Sequence, residues 1–143
     1  MSGYYEWRDT PDGKQPHYFT RGDGEVMTIA ALHDTWIDPE TKAPMQSCAM
    51  VITGPNKLVG EVHDRMPVVL EKDQFYQWER GDARDAAELM KPAADDVLQR
   101  WPVSKRVNSS KADENDPTLI KQELPKEPAL PLQFEIPPPG KAI

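Results

Sequence analysis

The chain has 143 residues, 24 acidic against 17 basic side chains for a net charge of −7, and 38% hydrophobic content. This length fits one domain with a modest core, and the acidic balance excludes a generally basic, non-specific nucleic-acid binder while leaving room for a local basic groove. The single cysteine, Cys48, excludes an intramolecular disulfide; with no signal-peptide pattern and no bilayer-length apolar run, a reducing, cytoplasmic setting and no membrane contact are expected.

Near the amino terminus, Tyr4-Tyr5-Glu6-Trp7 sets three aromatics around one carboxylate. Aromatic neighbours that desolvate a carboxylate raise its pKa towards a general-acid range; the competing reading is an outward Glu6 on a strand whose aromatics pack inward. An opening this abrupt reads as the middle of a domain.

Pro11-Asp12-Gly13 signals a turn. Residues 17–20 and 26–32, rich in β-branched and aromatic side chains, are predicted to pair as a hairpin around 21–24. Gly22-Asp23-Gly24 then reads as its turn, not as a phosphate-cradling loop. After a loop at 38–44, the apolar run 48–53 predicts a strand buried on both faces, with Cys48 as a small core residue.

Residues 56–62 are expected to give one or two helical turns, and Pro67 to open a new segment before Val68-Val69-Leu70. Three helices are predicted at 72–79, 83–90 and 94–101, the last from Val97, Leu98 and Trp101 at i, i+1 and i+4. A final strand is expected at 103–108. The fold class is α+β, strands early and helices later. Residues 1–120 form the domain, and 121–143, with Pro125, Pro128, Pro131 and Pro137 to Pro139, a flexible proline-rich tail.

The second constellation is His63-Asp64-Arg65-Met66-Pro67. An imidazole titrating near neutrality stands beside a carboxylate that can orient it and a guanidinium that can hold phosphate; the alternative is a capped turn with a surface ion pair. His17, His33 and His63 share no familiar ligand spacing, so no metal and no cofactor are expected.

Gly3-Tyr4-Tyr5-Glu6-Trp7 and His63-Asp64-Arg65-Met66-Pro67, in this order, resemble the G-[FY]-[YF]-E-W and H-D-R-M-P motifs of SOS response-associated peptidase (SRAP) domains. Ala30-Ala31-Leu32 with Trp36, the run 48–53, and Val107-Asn108 followed by Asp116-Pro117-Thr118-Leu119-Ile120 are similar to further segments of that family. The resemblance implies a β-rich SRAP-type domain, here an incomplete barrel-like sheet with flanking helices. It also implies single-stranded DNA with abasic sites as the partner, and a covalent thiazolidine crosslink made by an N-terminal cysteine that self-processing exposes. By the same resemblance Glu6 and His63 are catalytic, and Thr53, Arg65 and Trp7 contact DNA.

The sequence begins Met1-Ser2, and no N-A-R-x-E segment of the family precedes Gly3. The expectation is therefore an N-terminally truncated, C-terminal portion of the domain, inactive alone. A hydroxyl on Ser2 closes such a ring far less readily than a thiol, and Cys48 has no free α-amine. Two alternatives stand beside this reading: a non-covalent single-stranded-DNA binder using Arg65, Lys57, Lys105 and Arg106, and a non-functional remnant with unpaired sheet edges.

Overall fold

The computed structural model describes residues 1–124; the remainder of the expected proline-rich tail, 125–143, lies outside the described residues. In chain order the elements are β1 (Tyr4–Thr10), β2 (Gly13–Arg21), β3 (Thr28–Ile29), β4 (Ala31–Ile37), β5 (Pro44–Met50), β6 (Ile52–Thr53), α1 (Lys57–Gly60), β7 (Met66–Pro67), β8 (Val69–Leu70), α2 (Phe75–Arg80), α3 (Ala83–Glu88) and β9 (Leu98–Pro102). Short 3-10 turns lie at Lys72–Gln74, Lys105–Asn108 and Pro117–Ile120. The result is β-rich α+β, with open sheets and a few short helices.

The turn at Pro11-Asp12 closes because Gly13 takes φ 93°, a left-handed conformation that glycine adopts without a Cβ clash. β1 then pairs antiparallel with β2, and β2 with β9, giving a sheet of order β1-β2-β9. Strand alternation sorts its side chains. Tyr4, Glu6, His17, Phe19 and Arg100 fall on one face, and Tyr5, Trp7, Tyr18 and Trp101 on the other.

The first face carries the main core, where Phe19 packs with Met27, Val59, Met66, Val69 and Leu98. Tyr4 stacks on Phe19 with ring centroids 5.1 Å apart. A second cluster, Ala30, Val68, Leu70 and Leu89, is joined by Val51 and Trp78. Backbone bonds Ala30 N to Val68 O and Val51 N to Ala30 O, both 2.9 Å, tie the short strands β3, β6, β7 and β8 together at that point.

The expected hairpin between 17–20 and 26–32 does not form. β2 already uses both edges, on β1 and β9, while β3 pairs with β8. The predicted helix at 94–101 is mostly strand: after a turn with Val97 N on Ala94 O, residues 98–102 zip along β2 from Arg21 to His17. A short apolar run is ambiguous between helix and strand, and here pairing decides. The strand expected at 103–108 is a 3-10 turn capped by Ser104, with only a single bridge from Val103 to Gln122. The predicted helices at 72–79 and 83–90 correspond to a 3-10 turn running into α2, and to α3, which Asp82 starts by accepting from Arg84 N and Asp85 N.

Cys48 is exposed, not a core residue. β4 and β5 form a two-stranded hairpin with every residue exposed, including Leu32, Trp36, Met45 and Met50. An apolar run reports suitability for burial; what buries it is a covering layer, and none of the described residues supplies one here. Trp36→Ser should therefore change unfolding free energy by no more than about 0.5 kcal/mol in urea titration. A loss of about 2 kcal/mol or more would show that the hairpin is covered in solution.

Candidate active site

Glu6 is placed by β1, and its backbone register opposite His17 fixes its side chain on the core-bearing face of the sheet. His63 is placed by the end of α1. Asn56 caps that helix by accepting from Val59 N at 2.9 Å while its amide donates to the carbonyls of Ala93 and Ala94. The helix unwinds with Val62 N and His63 N both bonded to Val59 O.

These two anchors, 57 positions apart in sequence, bring His63 Nε2 to 3.7 Å from Glu6 Oε2. The pair lies in an open depression of about 230 Å³ lined by Glu6, Ile52, His63, Arg65, Met66 and Pro67. Both side chains are mostly covered, Glu6 being 24% and His63 30% exposed.

Burial pushes the Glu6 carboxyl above its ordinary pKa; His63 and Arg65 pull it back down, and Asp64 pushes it up. The ring nitrogen of His63 remote from Glu6 meets both an acceptor and a donor: Asp64 Oδ1 at 3.2 Å and Arg65 N–H at 3.2 Å. The neutral ring carrying its proton on Nε2 accepts from Arg65, and the imidazolium donates to Asp64. Either protonation state therefore finds a partner, which suits a residue that takes and returns a proton. Beside them Tyr4 presents a buried hydroxyl with no partner among the described residues. Its pKa is pushed up first by burial and then by the charge of Glu6.

A carboxyl whose folded pKa is raised holds its proton more tightly folded than unfolded. Its burial is therefore tolerated at low pH and opposes folding as pH climbs through the folded value. Glu6→Gln should raise the melting temperature at pH 7, with the gain shrinking towards pH 4. Equal melting temperatures for the two proteins at neutral pH would contradict this placement.

Of the residues singled out from sequence, Glu6, His63 and Arg65 meet in this depression. Arg65 is 68% exposed and lies 3.5 Å from Asp64. Thr53 is on β6, paired with Met66, one residue beyond the lining Ile52. Trp7 projects from the opposite sheet face, where its indole N–H donates to Asn108 Oδ1 at 2.7 Å. Lys57 pairs with Asp95, Lys105 donates to Asp12 O, and Arg106 is held by Asp116 and Thr118, so all three are engaged within the fold.

Sequence alone assigns no individual role to Ile52, Met66 and Pro67, which wall the depression, nor to His17, opposite Glu6 on β2, with Arg100 bonded to it. No local pattern marks His17; only strand pairing shows it. A larger groove of about 590 Å³ runs past Arg21, Val26, Glu71 and Phe75, but its guanidinium is saturated by Asp23 and Glu71 and it holds no acid–base pair of this kind. Among the described residues no group of three His, Cys, Asp or Glu side chains could hold a metal ion, and no helix is long and apolar enough to cross a membrane.

The family model described as SOS response associated peptidase (SRAP) matches residues 1–110. The chain is 33% identical over 121 residues to the abasic site processing protein YoqW of Bacillus subtilis, an alignment covering 82% of this chain and 53% of that protein. It is 28% identical over 113 residues to abasic site processing protein YedK of Escherichia coli, covering 76% and 50%. A solved structure of a protein from Bacteroides thetaiotaomicron superposes with TM-score 0.79 at 25% identity, over 87% of this chain and 55% of that one. The chain thus spans about half the length of the proteins it matches.

Proposed function

Because the chain belongs to the SOS response associated peptidase (SRAP) family, we propose that it is the Glu6- and His63-bearing portion of an abasic-site processing module that acts on single-stranded DNA. The observation that carries this reading is the 3.7 Å approach of His63 Nε2 to Glu6 Oε2 in an open, partly apolar depression. A desolvated carboxyl with a raised pKa and an imidazole with a partner for either protonation state are the pair that such chemistry needs.

Glu6 hands a proton to the sugar ring oxygen as the abasic ring opens, and the C1 hydroxyl gives its proton back to the carboxylate as it becomes the aldehyde. The amine of an N-terminal cysteine then adds to that carbon, and His63 takes the proton the amine loses. His63 returns that proton to the carbinolamine oxygen, which leaves as water as the imine forms. The thiol sulfur adds to the imine carbon while its proton passes to nitrogen, closing the thiazolidine. Arg65, exposed at the rim, is the phosphate contact; Trp7 and Thr53 contribute from outside the depression. The whole-module activities, crosslinking and self-processing of the N-terminus, belong to a form that supplies the cysteine, since the one cysteine here is Cys48 on β5.

The test is incubation with single-stranded DNA bearing one abasic site, using this chain and a form extended to begin with cysteine. A heat-stable band is expected only from the cysteine form, slowed about 100-fold by Glu6→Gln. A band from the chain beginning Met1-Ser2, or an undiminished rate with Glu6→Gln, would contradict the proposal. Non-covalent binding by the shorter chain should weaken steeply with salt.

A further inference from the structure

Behind the Glu6–His63 pair lies a second set of polar groups that the proposed chemistry does not use. His17 is 6% exposed and sits directly opposite Glu6 in the β1–β2 ladder, so the two side chains are cross-strand neighbours on one face. Arg100, on β9 and 14% exposed, places its NH1 group 2.9 Å from His17 Nδ1. Its NH2 group bonds Glu61, the C-cap of α1, two residues before His63.

An arginine can only donate, so Nδ1 of His17 accepts and the imidazole is neutral with its proton on Nε2. The fork of Arg100 therefore joins two elements at once: the strand neighbour of Glu6, and the loop that delivers His63. The third nitrogen of the guanidinium, Nε, is buried with no partner among the described residues, which carries a desolvation cost. An arginine retained at such a cost is poorly explained by stability alone, since an apolar side chain of similar size would avoid it.

We propose that His17, Arg100 and Glu61 form a clamp of positioning residues that fixes the His63 loop onto the sheet and so sets the separation of His63 from Glu6. The inference rests on the reading of Glu6 and His63 as the reactive pair, but its geometry stands independently of any DNA chemistry. With the clamp intact the imidazole stays near the carboxyl and influences its ionisation. With it released, the loop at 61–65 swings out and that influence fades.

The experiment is NMR titration of the Glu6 carboxyl carbon in the full chain, with and without His63→Gln, in four backgrounds: unchanged, Arg100→Met, Glu61→Leu and Glu61→Gln. His63→Gln should raise the Glu6 midpoint in the unchanged protein and in Glu61→Gln, whose amide oxygen still accepts from Arg100. In Arg100→Met and Glu61→Leu the rise should be no more than about half as large. A rise of the same size in all four would overturn the clamp. Glu61 is 61% exposed, so Glu61→Leu remains a folded test where Arg100→Met does not fold. If the coupling follows the clamp while the cysteine form with Glu6→Gln still crosslinks at full rate, the functional reading fails and the clamp stands. If crosslinking depends on Glu6 while the coupling ignores the clamp, the reverse holds.

Discussion

Phe19→Ala should lower the unfolding free energy by about 3–5 kcal/mol, a large share of the roughly 5–15 kcal/mol available to a domain of this size. Phe19 is fully buried, stacked on Tyr4, and packed with Met27, Val59, Met66, Val69 and Leu98. Its neighbours come from the β1-β2-β9 sheet, from α1 and from the β7–β8 segment, so the cavity would open where those pieces meet. Rigid backbone on each side limits collapse into it, which places the loss at the high end for a large-to-small change. Phe19→Leu keeps most of the volume and should lose under about 1.5 kcal/mol. Urea midpoints at constant slope measure both. A loss below about 1 kcal/mol for the alanine variant would mean that the two halves of the core do not depend on this ring.

Acid should be the second strong lever on stability. Burial first, then the Arg100 and Arg8 charges, lowers the His17 pKa from 6.5 to about 4. Unfolded chains bind the proton at the ordinary value and the folded protein does not, so this group contributes full stability above about pH 6.5 and loses it as pH falls through the folded value near 4. After discounting for solvent screening, the loss is about 2 kcal/mol. Glu6 acts with the opposite sign: its raised pKa makes acid favourable to the folded state. The two are separated by variant. His17→Gln should flatten the stability profile between about pH 4 and 6.5, and Glu6→Gln should steepen the net fall towards acid. An identical decline in His17→Gln and the parent would remove His17 from the account.

How much of this was legible in the sequence depends on how local each feature is. The Pro11-Asp12-Gly13 turn, the start of α3 at Ala83 and the short α1 after Asn56 are each written in a few adjacent residues, and each is where the pattern put it. The Glu6 and His63 motifs were legible for the same reason, and their resemblance to one family joined them before any geometry did. Their actual juxtaposition depends on contacts that no window contains. Arg100 reaches His17 across 83 positions, because residues 98–102 pair with β2 rather than coil into the helix their spacing suggested.

The other misreadings share a cause. The run 48–53 is apolar enough for a core, yet Cys48 and Met50 are exposed, since apolar character cannot report whether another layer arrives. The flank formed by β4 and β5 has no covering layer within the described residues. The two-strand partnership of β2 also lay beyond reach. Residues 17–20 and 26–32 look alike by propensity, and only the competition among all strands assigns β1 and β9 to the first of them.

The proposed function is tested most directly by titrating the isotope-labelled chain with single-stranded DNA carrying one central abasic site, and with the same strand intact, while following each residue by NMR. Shifts concentrated on Glu6, Ile52, His63 and Arg65, larger for the abasic strand than for the intact one, are expected. Shifts confined to the groove beside Arg21 and Phe75, or equal responses to the two strands, would contradict the assignment of Glu6 and His63 as the site.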